Sequence, residues 1–111
     1  MLSQQDIETV LFDMRQAIRC NRCFLVPRKD NMDTLAQLGI TGKDAFNEIM
    51  QLTYKDYFQG PLADRDRPAE DDLWVFKKTV QNEVIYIKFK IEYQKNREAK
   101  FVSFHIDKSG I

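Results

Sequence analysis

The sequence has 111 residues, of which 43% are hydrophobic, and its seventeen basic residues balance seventeen acidic ones. This composition is typical of a soluble globular chain that forms a core without metals or disulfides, and we expect residues 1–111 to form one domain. It excludes a membrane-spanning protein, because no apolar run approaches the roughly twenty residues that cross a bilayer.

Charge is unevenly distributed along the chain. Residues 1–72 contain nine basic and thirteen acidic side chains, a balance of −4, whereas residues 73–111 contain eight and four, a balance of +4. An anionic partner is therefore expected to bind the C-terminal half. The N-terminus shows no secretory signal, which predicts a cytoplasmic location.

The chain begins with a predicted helix and a short strand. Apolar residues at intervals of three and four over residues 6–20 predict an amphipathic helix, capped by Ser3 or Asp6. Residues 23–26 are predicted as a short edge strand, because Pro27 lacks an amide donor and disfavours helix in the residue before it.

Two further helices are predicted before the middle of the chain. Residues 31–38 form the second, with Asp30 or Asn31 as its N-cap. The third begins at the cap residue Thr41 and runs to about Leu52.

Residues 54–72 lack any regular apolar period, so we predict a long loop of the kind that is usually functional or disordered. The aromatic side chains of Tyr57 and Phe58 indicate that its start is anchored on the core. Two interpretations of Arg65 and Arg67 remain open: they bind a phosphate as bidentate donors, or each pairs with a neighbouring aspartate in the loop.

The period changes to two from Leu73 onward and predicts three strands, over residues 73–80, 84–93 and 100–106. A two-residue turn at 81–82 and a four-residue loop at 94–97 make them an antiparallel meander. The third strand is expected to place Val102, Phe104 and Ile106 on one face and Phe101, Ser103 and His105 on the other. The predicted fold class is α+β, with about three helices on one face of a mostly antiparallel sheet.

The register of this meander predicts a row of polar side chains on the face away from the helices. Lys77 lies opposite Tyr86, Tyr86 opposite His105, and Lys88 opposite Ser103, with neighbours about 5 Å apart. The same register pairs Trp74 with Phe89 on an apolar inner face.

An ammonium, a phenol and an imidazole in one row suit RNA cleavage, in which the 2′-hydroxyl is the nucleophile and no metal is required. Histidine has the reference pKa nearest neutrality, so His105 is the candidate general acid or base. Tyr86, Lys77 and Lys88 would contact the phosphate. The alternative is that these are ordinary polar residues on a solvated sheet face.

Four more residues are candidate RNA contacts in the same reading: Arg65, Arg67, Lys90 and Ser103. For Lys90 and Lys100 a solvated surface position is the favoured interpretation. Arg28 and Lys29 form a small basic spot that either touches RNA or caps a surface turn.

Four segments carry a resemblance to a known family: LTYKDYF at 52–58, LWVF at 73–76, VIYIK at 84–88 and VSFH at 102–105. Together with the order of the elements they resemble the MqsR-type toxins of bacterial toxin–antitoxin pairs. The resemblance implies a RelE-like α+β fold, an mRNA interferase that works without metal or cofactor, and a cognate antitoxin as partner.

What the resemblance implies for single residues is uneven. The family's active-site tyrosine falls on Tyr86 and its C-terminal catalytic lysine on His105, which preserves the capacity for proton transfer. Its other functional lysine and glutamine fall on Gln59 and Val75, where the chemistry is not preserved. Lys77 is a candidate replacement.

Two other interpretations of the sequence compete with catalysis. The chain is alternatively a non-catalytic binding module of the same fold, which its zero net charge favours, or an RNA-binding domain without cleavage. Cys20 and Cys23 have the spacing of zinc or redox pairs, but no second ligand pair exists, so structural cysteines are the preferred interpretation.

Overall fold

A computed structural model describes residues 2–67 and 71–108. The helices are α1 (Gln4–Arg19), α2 (Lys29–Leu38) and α3 (Gly42–Ile49). The strands are β1 (Cys23–Leu25), β2 (Tyr57–Leu62), β3 (Leu73–Val80), β4 (Glu83–Glu92) and β5 (Glu98–Ile106). They form one sheet of order β1-β5-β4-β3-β2, in which only the β1–β5 pair is parallel, so the predicted α+β class is confirmed. None of the described helices is long and apolar enough to span a bilayer.

The helix ends follow their capping chemistry. Ser3 caps α1 by accepting from the Asp6 amide, and the Asp6 carboxylate accepts from the Ser3 amide, as the capping-box pattern requires. Helix α2 begins two residues earlier than predicted, and Asn31 is a buried residue inside it rather than its cap. Helix α3, by contrast, is shorter than predicted and ends at Ile49 rather than at about Leu52.

The core lies between the helices and the inner face of the sheet. Phe89 of β4 contacts Phe76 of β3 at 5.7 Å and Phe101 of β5 at 5.3 Å between ring centroids. Phe46 of α3 closes this aromatic row with an edge-on contact to Phe101 at 5.4 Å. Helix α1 covers the row with its buried stripe, which consists of Ile7, Val10, Leu11, Met14 and Ala17.

Part of the predicted 54–72 loop is instead an edge strand. Residues 57–62 pair with β3 through an irregular ladder, in which Tyr57 lies opposite Phe76 and Gln59 opposite Val75. The irregularity hides the period of two, which is why the sequence reads as a loop. Tyr57 packs on the core as predicted, whereas Phe58 is 43% exposed. Pro68, also assigned to this loop, lies outside the described residues.

The predicted register of the meander is confirmed at the polar row. Lys77 pairs with Tyr86, and Tyr86 pairs with His105. The connection between β4 and β5 differs from the predicted four-residue loop, because it consists of the five residues 93–97. A bulge opposite the Lys88–Phe89 step then shifts the ladder by one residue and restores the expected pairs.

This bulge overturns the predicted facing of two residues on β5. Phe101 belongs to the core, and Val102 lies with Lys88 in a cleft on the outer face, the reverse of what strict alternation predicts. One extra residue in a strand inverts the side-chain alternation on one side of it. Phe104 is buried in the core, and Ser103 remains paired with Lys88, as expected.

Candidate active site

Tyr86 and His105 form the centre of the outer-face row. They occupy neighbouring strands at one register position, and their rings stack with centroids 5.3 Å apart and planes 16° from parallel. Both side chains are partly buried, so each remains accessible to a ligand while part of its ring is shielded from water. The stack fixes the orientation of the imidazole beside the phenol.

A backbone contact determines which imidazole nitrogen is available. The Nδ1 atom of His105 lies 3.0 Å from the carbonyl oxygen of Ile106. A carbonyl only accepts hydrogen bonds, so Nδ1 carries the proton and donates it to this bond. In the neutral ring, Nε2 is then the basic nitrogen, as a general base requires.

Helix α2 holds the strand that carries His105. The amide nitrogens on either side of it donate to this helix: Phe104 to Asn31 Oδ1 at 2.9 Å, and Ile106 to Thr34 Oγ1 at 3.1 Å. Because β1 ends at Leu25, these side chains take the place of a neighbouring strand along the rest of the β5 edge. The backbone at His105 is thus held by β4 on one side and by α2 on the other.

Lys77 lies beside Tyr86 and is held by an acidic residue that sequence reasoning missed. Its Nζ atom lies 2.8 Å from Asp107 Oδ2 and 3.9 Å from the ring centroid of Phe58, a cation–π distance. The register contained the signal for Asp107, because it follows His105 by two residues and therefore points to the same face. Its amide donates to the Val84 carbonyl at 2.8 Å, continuing the ladder.

The phenol of Tyr86 is kept protonated by its surroundings. Burial raises the pKa of Tyr86, the Lys77 ammonium lowers it, and the Asp107 carboxylate raises it again. A phenol with a raised pKa is a hydrogen-bond donor throughout the neutral range. Tyr86 therefore presents an O–H group to whatever binds this face.

We expect Asp107→Asn to lower the pKa of Tyr86. The substitution removes the negative charge that opposes the phenolate and leaves the Lys77 ammonium to favour it. An alkaline ultraviolet titration checks this, with a Tyr86→Phe variant to identify the transition. Glu8→Gln on α1 removes the same charge at a distance and serves as the control. A Tyr86 pKa that is unchanged or raised in Asp107→Asn would contradict the arrangement.

Lys88 and Arg67 meet in a second feature of the outer face, a cleft of about 170 Å³. Four basic side chains line it, and they are Arg28, Arg67, Lys88 and Lys100. We call these four residues and the space between them the basic cleft. Lys88 belongs both to the cleft and to the row next to Tyr86 and His105, so the two features are continuous.

The other predicted RNA contacts have different environments. Lys90 is 0% exposed, with its Nζ atom 3.1 Å from Asp64 Oδ2, so the interpretation as a solvated residue is wrong. Ser103 is also buried, while Arg65 is exposed and lies outside the cleft lining. Their contacts with RNA remain predictions.

Two acidic clefts border the structure elsewhere. One, of about 310 Å³, lies between α2 and the turn end of β4, and His105 itself lines it together with Asp30, Asp33 and Glu83. Its one basic lining residue among the described residues, Lys108, lies 3.5 Å from Asp30 Oδ1. The other, of about 500 Å³, is lined by apolar, aromatic and acidic residues, and none of the described residues that line it is basic. Neither suits a polyanion, so an RNA strand would approach His105 from the Lys88 side.

Cys20 and Cys23 do not belong to a group of metal-ligating side chains in the part of the chain that the structure describes. Cys20 is exposed and Cys23 is partly buried against the core, so the structural interpretation holds for Cys23 and not for Cys20. Burial is the main cause that raises the pKa of the Cys23 thiol. Within residues 2–67 and 71–108, no three His, Cys, Asp or Glu side chains form a group that could hold a metal ion.

Comparison with known families matches residues 8–106 to the MqsR toxin family, described as motility quorum-sensing regulator, toxin of MqsA. The chain belongs to the MqsR toxin family. It is therefore a toxin of a toxin–antitoxin pair, with an antitoxin as its partner, and the predicted resemblance is confirmed. Comparisons with curated proteins and with solved structures found no match.

In this MqsR-family toxin, the positions that depart from the family pattern lie beside the central row. Gln59 pairs with Val75, and Val75 pairs with Lys88. Val75 is fully buried, so it offers no polar group to a substrate. Lys88 is the nearest cation in that row, and Lys77 lies in the row of Tyr86.

Proposed function

We propose that this MqsR-family toxin is a cytoplasmic, metal-independent endoribonuclease that cleaves mRNA and thereby inhibits translation. The stacked pair of His105 and Tyr86 on the outer face carries the proposal. It combines a basic imidazole nitrogen with a protonated phenol, next to a cleft with four cations. These are the groups that cleavage by the internal 2′-hydroxyl requires.

The reaction begins when Nε2 of His105 removes the proton of the 2′-hydroxyl. The 2′-oxygen then attacks the adjacent phosphorus and forms a new P–O bond, and the bond from phosphorus to the 5′-oxygen breaks. The products are a 2′,3′-cyclic phosphate and a 5′-hydroxyl, which takes its proton from water. The His105 imidazolium returns the proton it took to the hydroxide so formed, which regenerates the base. No oxidant, cofactor or metal enters this balance.

The remaining site residues stabilise charge on the phosphorane. The hydroxyl of Tyr86 donates to a phosphate oxygen, and Lys88 supplies a positive charge one row away. Lys77, held by Asp107, keeps a cation beside the phenol. Arg65, Arg67, Lys90 and Ser103 stay candidate RNA contacts, and Lys90 reaches RNA only if Asp64 releases it.

The test is incubation of the purified protein with a long RNA in the presence of EDTA. We expect fragments that end in 2′,3′-cyclic phosphate and begin with 5′-hydroxyl, because the 2′-oxygen is the nucleophile. RNA that stays intact would contradict the proposal and favour the non-catalytic binding module. RNA that is retained with strong salt dependence but not cut would favour a plain RNA-binding domain.

A further inference from the structure

The cations of the basic cleft differ from other lysines of this protein in whether a carboxylate pairs with them. No hydrogen bond or ion pair holds the side chains of Arg28, Lys88 or Lys100 within the described parts of the chain. By contrast, Lys77 and Lys78 each lie within 3 Å of a carboxylate oxygen. Three unengaged cations converging on one cleft cost electrostatic energy unless an anion binds there.

The acidic residues of the cleft do not cancel this charge. Asp64 and Asp66 are the two acidic side chains of its lining. Asp64 binds the ammonium of Lys90 and accepts from the amides of Asp66 and Arg67, and these hydrogen bonds lower its pKa against the opposing effect of burial. Asp66 remains as one exposed carboxylate facing four basic side chains.

The size of the cleft limits its ligand. At about 170 Å³ it is smaller than the roughly 300–1,000 Å³ typical of sites that enclose a small organic molecule. Its lining combines three apolar residues, Val26, Leu73 and Val102, with the four basic side chains and two acidic ones. A single phosphodiester group, held by several N–H donors, fits both the size and the charge.

The cleft also lies along the path that a bound strand would follow. From Tyr86 to Lys88 is two residues along β4, about 7 Å. His105 also lines the acidic cleft on its α2 side, which contains Asp30, Asp33 and Glu83. A polyanion placed on His105 is repelled on that side and is directed toward Lys88 and Lys100.

We propose that the basic cleft is a phosphate subsite, which binds the backbone phosphate next to the one that is cleaved. The inference rests on the proposed endoribonuclease function for the location of the scissile phosphate. It adds Lys100 to the candidate RNA contacts, selects RNA contact over the surface-turn interpretation for Arg28, and assigns both residues to the backbone rather than to the bases.

The test measures binding of a single-stranded oligonucleotide in which every nucleotide lacks the 2′-hydroxyl, so that no cleavage occurs. We expect the double substitution Arg28→Gln with Lys100→Gln to raise the Kd about tenfold or more. The slope of log Kd against log salt should fall by about 0.7, the value for one lost phosphate contact on a single strand. Lys100→Arg retains the charge and should retain the affinity.

Lys43→Gln with Lys55→Gln is the matched control, because both lysines are exposed and neither lines the basic cleft. Thermal unfolding of both double variants shows that they are folded, and Lys100→Gln alone replaces the double variant should it not fold. A Kd and salt slope equal to those of the control would overturn the subsite. So would weakened antitoxin binding with unchanged oligonucleotide binding, which would mark the cleft as a protein interface.

Failure of the subsite and failure of the proposed function are distinguishable. The oligonucleotide assay does not depend on catalysis, because its ligand has no 2′-hydroxyl to attack the phosphate. Cleavage of long RNA in EDTA with unchanged binding in the Arg28 and Lys100 variant would leave the endoribonuclease standing and remove the subsite. If binding is weakened in that variant but the parent does not cleave RNA, the cleft is a phosphate-binding site and the endoribonuclease proposal fails.

Discussion

Replacement of His105 by alanine is expected to lower the rate of RNA cleavage by about 10²- to 10⁴-fold, the range that one positioned general base contributes. The Nε2 atom is the basic nitrogen of the row, because Nδ1 donates to the Ile106 carbonyl. The side chain is partly buried on the outer face and is not part of the core, so the variant should fold. Single-turnover cleavage of a long RNA in EDTA measures the loss.

Two further experiments separate the catalytic role of His105 from its packing on Tyr86. Thr79→Ala is the control, because Thr79 is an exposed residue on β3 whose loss should leave the rate unchanged. Free imidazole added to His105→Ala should restore part of the cleavage, since it supplies the missing base. A His105→Ala variant that cleaves at the parental rate would remove the imidazole from the mechanism.

The position of His105 could be predicted from sequence because the core and the row depend on the same register. Pairing Trp74 with Phe89 places an apolar pair on the inner face, and the same alignment places Lys77 opposite Tyr86. A slip of one residue would expose the aromatic core. The energy of burying these side chains thus specifies the outer face as well.

The sequence was less informative where local rules are broken. The bulge that moves Val102 to the outer face replaces strict alternation, and only the three-dimensional ladder shows it. The irregular pairing of Tyr57 and Gln59 with β3 likewise erases the period that marks a strand. The burial of Lys90 depends on Asp64, a residue 26 positions away, and a single strand pattern cannot report such a partner.

Asn31 shows the same limit in the support of the site. Its position near the start of a helix favours a cap, which is a local role. In the structure it is fully buried and makes three long-range or loop hydrogen bonds. Its Nδ2 atom donates to the carbonyls of Val26 at 2.8 Å and Val102 at 3.0 Å, and its Oδ1 atom accepts from the amide of Phe104. One side chain therefore joins α2, the end of β1 and the bulged part of β5.

Asn31→Asp is expected to reduce the free energy of unfolding by about 3 kcal/mol or more at neutral pH. The change keeps the shape of the side chain but replaces two donors by a carboxylate oxygen facing two carbonyl oxygens. Burial and these carbonyls favour the protonated acid, so the pKa of the introduced carboxyl is higher in the folded chain than its value of about 4 in the unfolded chain. Between these two pKa values the folded variant binds more protons than the unfolded one. Its stability relative to the parent therefore falls as the pH rises from about 4 to the pKa of the folded state.

Urea unfolding of Asn31→Asp and of the parent over a series of pH values measures the difference. Asn47→Asp makes the same chemical change at an exposed position of α3 and should show neither the loss nor its pH dependence. Equal stability of the two variants at neutral pH would show that the Asn31 bridge contributes nothing to the fold. At acid pH, where the introduced carboxyl again donates a hydrogen bond, Asn31→Asp should regain part of its stability. Asn31 accepts from the amide of Phe104, the residue before His105. The folded Asn31→Asp variant should therefore also cleave RNA more slowly than Asn47→Asp.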